Sequence, residues 1–312
     1  MDYKVSVFTC VYNRAHTIER VFRSMKQQSY RNIEHIIVDD GSTDNLDPLV
    51  EKYISEVDYP VKYFKKSNGG KHTASNLAWD NAEGYFLFQL DSDDEVLPNA
   101  IQFLVDTYNG ISDDIKDDFW CVLGRCVDQT NRKMIGPPYP ENINALDVDE
   151  AKNIAATITG DKVGIIKRDK LAGLRYPEPA YVNFVTESHL WHKLNNLYRT
   201  FYTNETVLIY YFNPEGGCLS NPKKTFQLYS NYSYNEKFEL ENRKSFRTNN
   251  KTLIRKVFLY SAYYELSTTN YKKHYSRFLS NGLLLNFFIF SLSLPIHIMR
   301  KKIIERWSVG EE

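Results

Sequence analysis

An α/β fold built on a mostly parallel sheet is what this sequence predicts, and three observations predict it. Short apolar runs alternate with segments of helical periodicity through the N-terminal third of the chain. Three of the first four runs end in polar clusters, at Thr9 to Arg14, Asp39 to Asp44 and Asp91 to Asp94. Parallel strands joined by helical crossovers bring such ends to one edge of the sheet, where ligands of open α/β sheets bind. Any one cluster is ordinary loop chemistry, because Asp, Asn, Ser and Gly are also turn and cap residues. Three delivered to one edge are less easily explained that way.

Each element follows from its pattern. Val5 to Val11 is a β-rich apolar run ending at Tyr12-Asn13-Arg14. From Ala15 to Gln28, Ile18, Val21, Phe22 and Met25 recur at the helical period. Ile33 to Val38 is a second strand, Leu46 to Val57 a helix, and Val61 to Phe64 a third strand. Asn68-Gly69-Gly70-Lys71-His72 is a glycine turn opening a helix from Thr73 to about Asn81. Tyr85 to Leu90 lacks clean alternation, so it reads as a strand buried on both faces. It runs straight into Asp91-Ser92-Asp93-Asp94, and a helix is expected from near Pro98.

That junction carries the chemistry. A buried strand cannot hold charge inside the sheet, so all three carboxylates are expected to emerge at its C-terminal end. Asp91 and Asp93 flank a single residue and can converge on one hard cation, Mg²⁺ or Mn²⁺, with positions left for water and phosphate oxygens. An acidic turn capping the next helix is the alternative for Asp-x-Asp taken alone. Composition narrows the classes further. The 312 residues hold 39 Lys+Arg against 39 Asp+Glu, so the overall basic excess of a nucleic-acid binder is absent. There is neither a Gly-x-Gly-x-x-Gly fingerprint nor a Walker loop, which argues against dinucleotide oxidoreductases and P-loop enzymes. Cys10, Cys121, Cys126 and Cys218 are scattered without a Cys-x-x-Cys pair, and Met1-Asp2-Tyr3-Lys4 leads directly into a strand without room for a signal peptide. Both suit a cytoplasmic protein.

With the first strand, Val38-Asp39-Asp40-Gly41-Ser42-Thr43-Asp44 and Asp91-Ser92-Asp93-Asp94 in order, the sequence resembles a family 2 glycosyltransferase with the GT-A (Rossmann-like) fold. The specific motifs span Val5 to Asn99, and the resemblance extends to about Tyr211. It implies an inverting, metal-dependent, hexosyltransferase-type enzyme. Such an enzyme moves a sugar from a nucleotide-diphospho-sugar, with UDP favoured, to a glycan or lipid-linked hydroxyl in bacterial surface polysaccharide synthesis. It also implies a nucleotide-sugar site on which Thr9, Tyr12 and Asn13 converge, with Tyr12 stacked on the base and Asp40 accepting from its ring; Asp39 either joins them or braces the turn. Gly69 and Gly70 let the backbone approach the ligand, and Lys71 and His72 lie where such enzymes approach the ribose and diphosphate. Asn76 lies at i+4 from His72 on the same helical face. By the same resemblance Asp91 and Ser92 reach the ribose or metal shell, and Asp93, with Asp91, coordinates Mn²⁺ or Mg²⁺.

The second half continues the pattern. Phe119 to Val127 and Lys133 to Ile135 read as strands joined by a turn at Asn131-Arg132, and Val163 to Lys167 as another. Arg175 to Pro179 is a rigid loop. Leu190, Trp191 and Leu194 place Glu187 at the start of an amphipathic helix. An acid is electrostatically welcome at a helix start, so capping is one role for it. The resemblance implies the other, the general base of an inverting transfer, with Ser188 standing where some members have Asp. Asp149, Glu150, Glu178 and Glu205 are the competing acids, and Glu178, between two prolines, reads as structural.

Residues 1–212 form the expected catalytic domain and 213–312 a helical extension. Gly282 to Ile296 is the most apolar stretch, interrupted by Asn286 and Pro295 and followed by Arg300-Lys301-Lys302. Residues 282–302 suit either a helix lying in an anionic membrane interface, on the inner face of the cell membrane, or a helix packed on the main domain. Two further functions fit the same pocket: a nucleotidyltransferase making the nucleotide-sugar, and a non-catalytic nucleotide-sugar-binding scaffold. The first normally needs a glycine- and Arg-rich phosphate loop after the first strand, where Tyr12-Asn13-Arg14 stands instead.

Overall fold

In a computed structural model, residues 1–146, 148–158, 160–179, 182–212 and 225–241 are described, together with Val257 and Tyr260. They fall into two compact units. The first comprises Met1–Tyr176 and Lys193–Phe212; the second contains Pro177–His192 and the described residues beyond Asn213. The 177–192 segment therefore groups with the C-terminal residues and not with the sheet that precedes it.

The first unit is built on an eight-stranded sheet. β1 (Val5–Val11) and β2 (Ile33–Asp39) are almost wholly buried, as apolar runs covered on both faces must be. β3 (Val61–Lys65) and β4 (Phe86–Gln89) complete a parallel set ordered β3-β2-β1-β4. The crossovers are α1 (Ala15–Lys26), α2 (Asp47–Glu56) and α3 (Lys71–Asp80). α1 buries Ile18, Val21, Phe22 and Met25, the residues whose spacing predicts the helix. α4 (Ala100–Asn109) follows Pro98 as expected.

Beyond β4 the sheet becomes mixed. β6 (Phe119–Asp128) and β7 (Lys162–Lys167) form an antiparallel pair, and β7 also lies antiparallel to β4. α5 (Val148–Thr157), which lies between them in sequence, is not foreseen by the sequence reading. Lys133 to Ile135 forms no named strand; Met134 makes an isolated bridge to Val127 of β6, and Arg125 donates to Ile135 O at 2.5 Å. The main departure is β8 (Arg199–Tyr210), parallel to β6 and capped by the two-residue β5 (Glu95–Val96). Its exposed Asn204 and Glu205 break the apolar pattern, and three register shifts against β6 absorb the irregularity. The second unit holds the start of α6 (Ser188–Leu197) and α7 (Thr225–Glu241). Among the described residues no helix is long and apolar enough to cross a membrane; the 282–302 segment lies outside them.

Two buried polar groups fix β2 between its neighbours. Glu34, fully buried at the N-terminal edge, accepts from the Ser6 hydroxyl at 2.5 Å and from the Glu83 amide at 2.8 Å, and Lys62 lies 3.0 Å away. One residue on, His35 bridges the Thr9 hydroxyl (3.0 Å) to the Tyr53 hydroxyl (2.8 Å), which meets Tyr59 at 2.8 Å. Phe22 stacks on Tyr53 at 4.1 Å and closes this polar chain under α1.

Burial holds His35 neutral, with its pKa lowered to about 3 from an ordinary 6.5. Between those values the unfolded chain binds the extra proton. The stabilisation is therefore complete above pH 6.5 and is lost as pH falls, by up to about 1.4 kcal/mol per pH unit. In urea titrations at pH 7.5, 6 and 5, His35→Leu should be less stable than wild type at pH 7.5 but decline less steeply. Equal slopes for the two proteins would show that His35 does not carry this dependence.

Candidate active site

The parallel ladder continues one step past the strands and so aligns their ends. The Asp40 amide donates to Val11 O (2.8 Å), the Lys66 amide to Asp39 O (2.9 Å) and the Leu90 amide to Phe8 O (3.0 Å). The residues that follow β1, β2, β3 and β4 therefore share one edge, together with the N-terminus of α3.

Asp40 organises that edge. It is 3 % exposed, and both its oxygens are engaged by the loop after β3. Lys66 Nζ (2.6 Å) and the Gly69 amide (3.0 Å) donate to Oδ1; the Gly70 amide (2.7 Å) and Asn68 Nδ2 (3.3 Å) donate to Oδ2. Gly70 adopts φ +94°, a conformation open to glycine, and passes the chain into α3. Asp39 accepts the Ser42 amide at 2.7 Å and braces its turn. Asn13, itself at φ 52°, accepts from the Thr43 amide at 2.7 Å while its own amide donates to Ser42 Oγ at 3.0 Å. The end of β1 is thus stapled to the loop after β2.

The acidic turn divides its carboxylates between two environments. Asp91 and Asp93 keep side-chain exposures of 42 % and 27 %. Lys71, in the first turn of α3, lies 2.8 Å from Asp91, and Arg14 lies 3.8 Å from Asp93. Burial opposes the charge on Asp91, but Lys71 outweighs it and holds the carboxyl below its ordinary value. Asp93 is raised by burial and by the charge of Asp91, against the pull of Arg14. Asp94, expected to emerge with them, turns inward instead. It is 5 % exposed, accepts the Tyr211 amide at 3.0 Å, and burial with the nearby Asp91 pushes its pKa up to about 8. A carboxyl that stays neutral can lie under the turn without the cost of a buried charge.

The main chain of the turn is also held. Thr17 Oγ1 donates to Ser92 O at 2.9 Å and Arg20 to Asp93 O at 2.6 Å. The Arg20 guanidinium lies 3.5 Å above the Tyr211 ring, whose hydroxyl donates to Glu95 at 2.7 Å. Arg14, Arg20, Lys66 and Tyr211 are absent from the sequence-derived site. Arg14 immediately precedes α1 and Arg20 lies within it, both close in sequence to the Tyr12-Asn13 motif; Tyr211 follows the missed β8.

The sequence-derived residues separate by depth. Tyr12, Asn13, Lys71, Asp91 and Asp93 are partly exposed at the shared edge. Thr9, His72 and Asn76 are buried beneath it, and Ser92 nearly so. Thr9 is spent on His35, and Asn76 exchanges two hydrogen bonds with the main chain of Tyr176, at 2.9 and 3.0 Å. Glu187 precedes α6, and its carbonyl accepts the Leu190 (3.0 Å) and Trp191 (3.1 Å) amides. It belongs to the second unit, whereas the sequence-derived nucleotide-sugar and metal residues all belong to the first.

Among the described residues no group of three or more His, Cys, Asp or Glu side chains is arranged to hold a metal ion. The Asp91–Asp93 pair is the smaller set expected where phosphate oxygens and water complete the shell of Mg²⁺ or Mn²⁺. The mutual repulsion of the two carboxylates is what a cation would relieve. The residues fit such an ion.

A sheet of this order, with an Asp-x-Asp turn and a glycine loop at its parallel edge, defines a GT-A glycosyltransferase. The chain belongs to glycosyl transferase family 2, whose model matches residues 6–161, half of its length. It is 26 % identical over 279 residues to the GalNAc(5)-diNAcBac-PP-undecaprenol beta-1,3-glucosyltransferase of Campylobacter jejuni, covering 87 % of this chain and 86 % of that protein. The fold matches S. aureus TarS 1-349 in complex with UDP-GlcNAc (TM-score 0.54, 20 % identity, 87 % of this chain and 74 % of the other). It also matches the mannosyltransferase PcManGT of Pyrobaculum calidifontis in complex with GDP-Man and Mn²⁺ (TM-score 0.52, 18 % identity, 86 % and 73 %).

Asp40→Asn keeps the size of the side chain but turns an N–H₂ toward amides and a lysine that need an acceptor. The expected cost is about 1–3 kcal/mol of stability, with the 66–70 loop becoming more open to protease. Wild-type stability and protease resistance together would contradict the anchoring role.

Proposed function

We propose that the chain transfers a sugar, with inversion, from a nucleotide-diphospho-sugar to a hydroxyl of a glycan or lipid-linked acceptor in surface polysaccharide synthesis, using a divalent cation. The observation that carries this is the partly exposed Asp91–Asp93 pair on the same edge as the Asp40-anchored glycine loop and the start of α3. A helix N-terminus beside two carboxylates suits a metal-bound diphosphate. The UDP-GlcNAc complex of TarS supports the donor class and a preference for UDP; the Mn²⁺ complex of PcManGT supports the cation; the Campylobacter relative supports a lipid-linked acceptor.

In this reading Asp91 and Asp93 hold Mn²⁺ or Mg²⁺, which when bound neutralises charge on the departing diphosphate. Tyr12 stacks on the base, Asp40 keeps the loop beside it, and Lys71 pairs with Asp91 at the start of α3. The acceptor oxygen attacks the anomeric carbon as the bond to the diphosphate breaks. Its proton passes to the Glu187 carboxylate. One displacement inverts the anomeric centre, in contrast to a retaining glycosidase with its carboxylate nucleophile. The cytoplasmic location, which rests on the scattered cysteines, and attachment of 282–302 to an anionic membrane face, which rests on the composition of that segment, belong to the same proposal.

Incubation with a panel of UDP- and GDP-sugars and a polyprenyl-diphosphate-linked saccharide tests the reaction class. Acceptor-dependent release of nucleoside diphosphate is the expected result. Release of pyrophosphate from a sugar phosphate and a nucleoside triphosphate would point to nucleotidyl transfer, and binding without turnover to a scaffold.

Asp93→Asn should weaken the response to Mn²⁺ and nearly abolish transfer while leaving the melting temperature close to wild type, because the side chain is partly exposed. Normal activity at limiting Mn²⁺ would remove Asp93 from the metal site. Glu187→Gln should lower turnover by about 10²–10⁴-fold with nucleotide affinity unchanged. A capping role predicts a different pattern: about 1 kcal/mol less stability and turnover near wild type.

A further inference from the structure

Within the second unit, two asparagines of α7 grip the segment that carries Glu187. Asn231 and Asn235 stand one helical turn apart on one face and are 3 % and 6 % exposed. Asn235 Oδ1 accepts from the Thr186 amide at 3.0 Å, from Thr186 Oγ1 at 3.3 Å and from His189 Nε2 at 3.2 Å. Its Nδ2 donates to Phe184 O at 3.1 Å and Asn231 O at 2.8 Å. Asn231 Oδ1 accepts the Asn183 amide at 3.1 Å, and its Nδ2 donates to Asn183 Oδ1 at 2.7 Å.

The amide orientations are fixed by this network, since a main-chain N–H can only donate. With Asn235 Oδ1 facing the Thr186 amide, His189 must present Nε2–H to it. His189, 5 % exposed, is held in that orientation between Tyr234 (5.5 Å, 2°) and Phe238 (3.7 Å, 18°), both on α7. One side-chain oxygen thus binds the residue before Glu187 and the residue two beyond it. Glu187 itself is locked at the main chain by its carbonyl bonds to Leu190 and Trp191. A free loop would need its backbone entropy removed at every turnover; here buried amides remove it in advance.

We infer that Asn235, supported by Asn231, is a positioning residue that holds Glu187 in the orientation needed for proton abstraction, so that α7 of the C-terminal region is part of the catalytic apparatus. This rests on the assignment of Glu187 as the base. Its role differs from packing in one respect: it acts only through Glu187.

The test is steady-state kinetics on the full chain, with UDP release from the most active UDP-sugar of the panel and a polyprenyl-diphosphate-linked saccharide as acceptor. Asn235→Ala should lower kcat by about ten- to a hundredfold, with the Kd for UDP within twofold of wild type, at temperatures where circular dichroism shows the variant folded. In a Glu187→Gln background the same substitution should change kcat by less than about twofold, because the group it positions no longer acts as a base. A folded Asn235→Ala with wild-type kcat, or the same fold-loss in both backgrounds, overturns the inference. If Glu187→Gln alone keeps wild-type turnover, the base assignment fails, and that outcome is distinct from an inactive Glu187→Gln beside a fully active Asn235→Ala. Should Asn235→Ala not fold, Asn231→Ala replaces it, with kcat expected to fall about threefold or more; an unchanged kcat overturns the proposal.

Discussion

The rest of the site depends on hydrogen bonds that carry the parallel ladder one residue beyond its strands. Asp40 on Val11, Lys66 on Asp39 and Leu90 on Phe8 set the height of three loops that are far apart in sequence. From that common origin Asp40 can reach the amides of Gly69 and Gly70, and Lys71 can reach Asp91 from the first turn of α3. Buried backbone groups must be paired, so the alignment of these loops is enforced by the same requirement that holds the sheet together. The polar groups under the edge follow suit. His35 ties Thr9 to Tyr53, and Asn76 ties α3 to Tyr176, so these buried groups are engaged within the protein itself.

Electrostatics then divides the labour among acids of one short turn. Asp94 is buried, takes an amide and is pushed toward the neutral form; Asp91 and Asp93 stay at the surface with a cation each. Lys71 and Arg14 compensate the pair in the absence of other charge. A divalent ion arriving with a diphosphate would bring both signs at once and would replace those contacts at little net change in charge. Under the proposed function, Lys71 and Arg14 would then stand beside phosphate oxygens, where charge develops in the transfer.

Much of this was legible in the sequence, for physical reasons that differ by element. β1, β2 and β4 are buried on both faces, so their apolar runs announce themselves, and α1 shows its buried face at regular spacing. The motif residues at their ends follow from topology alone. β8 was not legible because Thr203, Asn204 and Glu205 interrupt it and its register against β6 shifts three times. Asp94 was expected to emerge with its neighbours, since sequence does not reveal that Tyr211, 117 residues on, supplies the amide that lets it turn inward. Thr9 and Asn76 look like pocket residues by type and position; their hydrogen bonds are with residues remote in sequence. The grip of Asn231 and Asn235 on 183–189 is a long-range match with no local pattern to betray it.

Under the proposed function the parallel edge binds a nucleoside diphosphate through a cation held by Asp91 and Asp93. Isothermal titration of the full chain with UDP, with and without Mn²⁺, tests it most directly. One UDP site is expected, with an affinity that rises at least about tenfold, roughly 1.4 kcal/mol, when Mn²⁺ is present, and the rise disappears in Asp93→Asn. Equal affinity with and without the cation, or no binding of UDP in either condition, would contradict it.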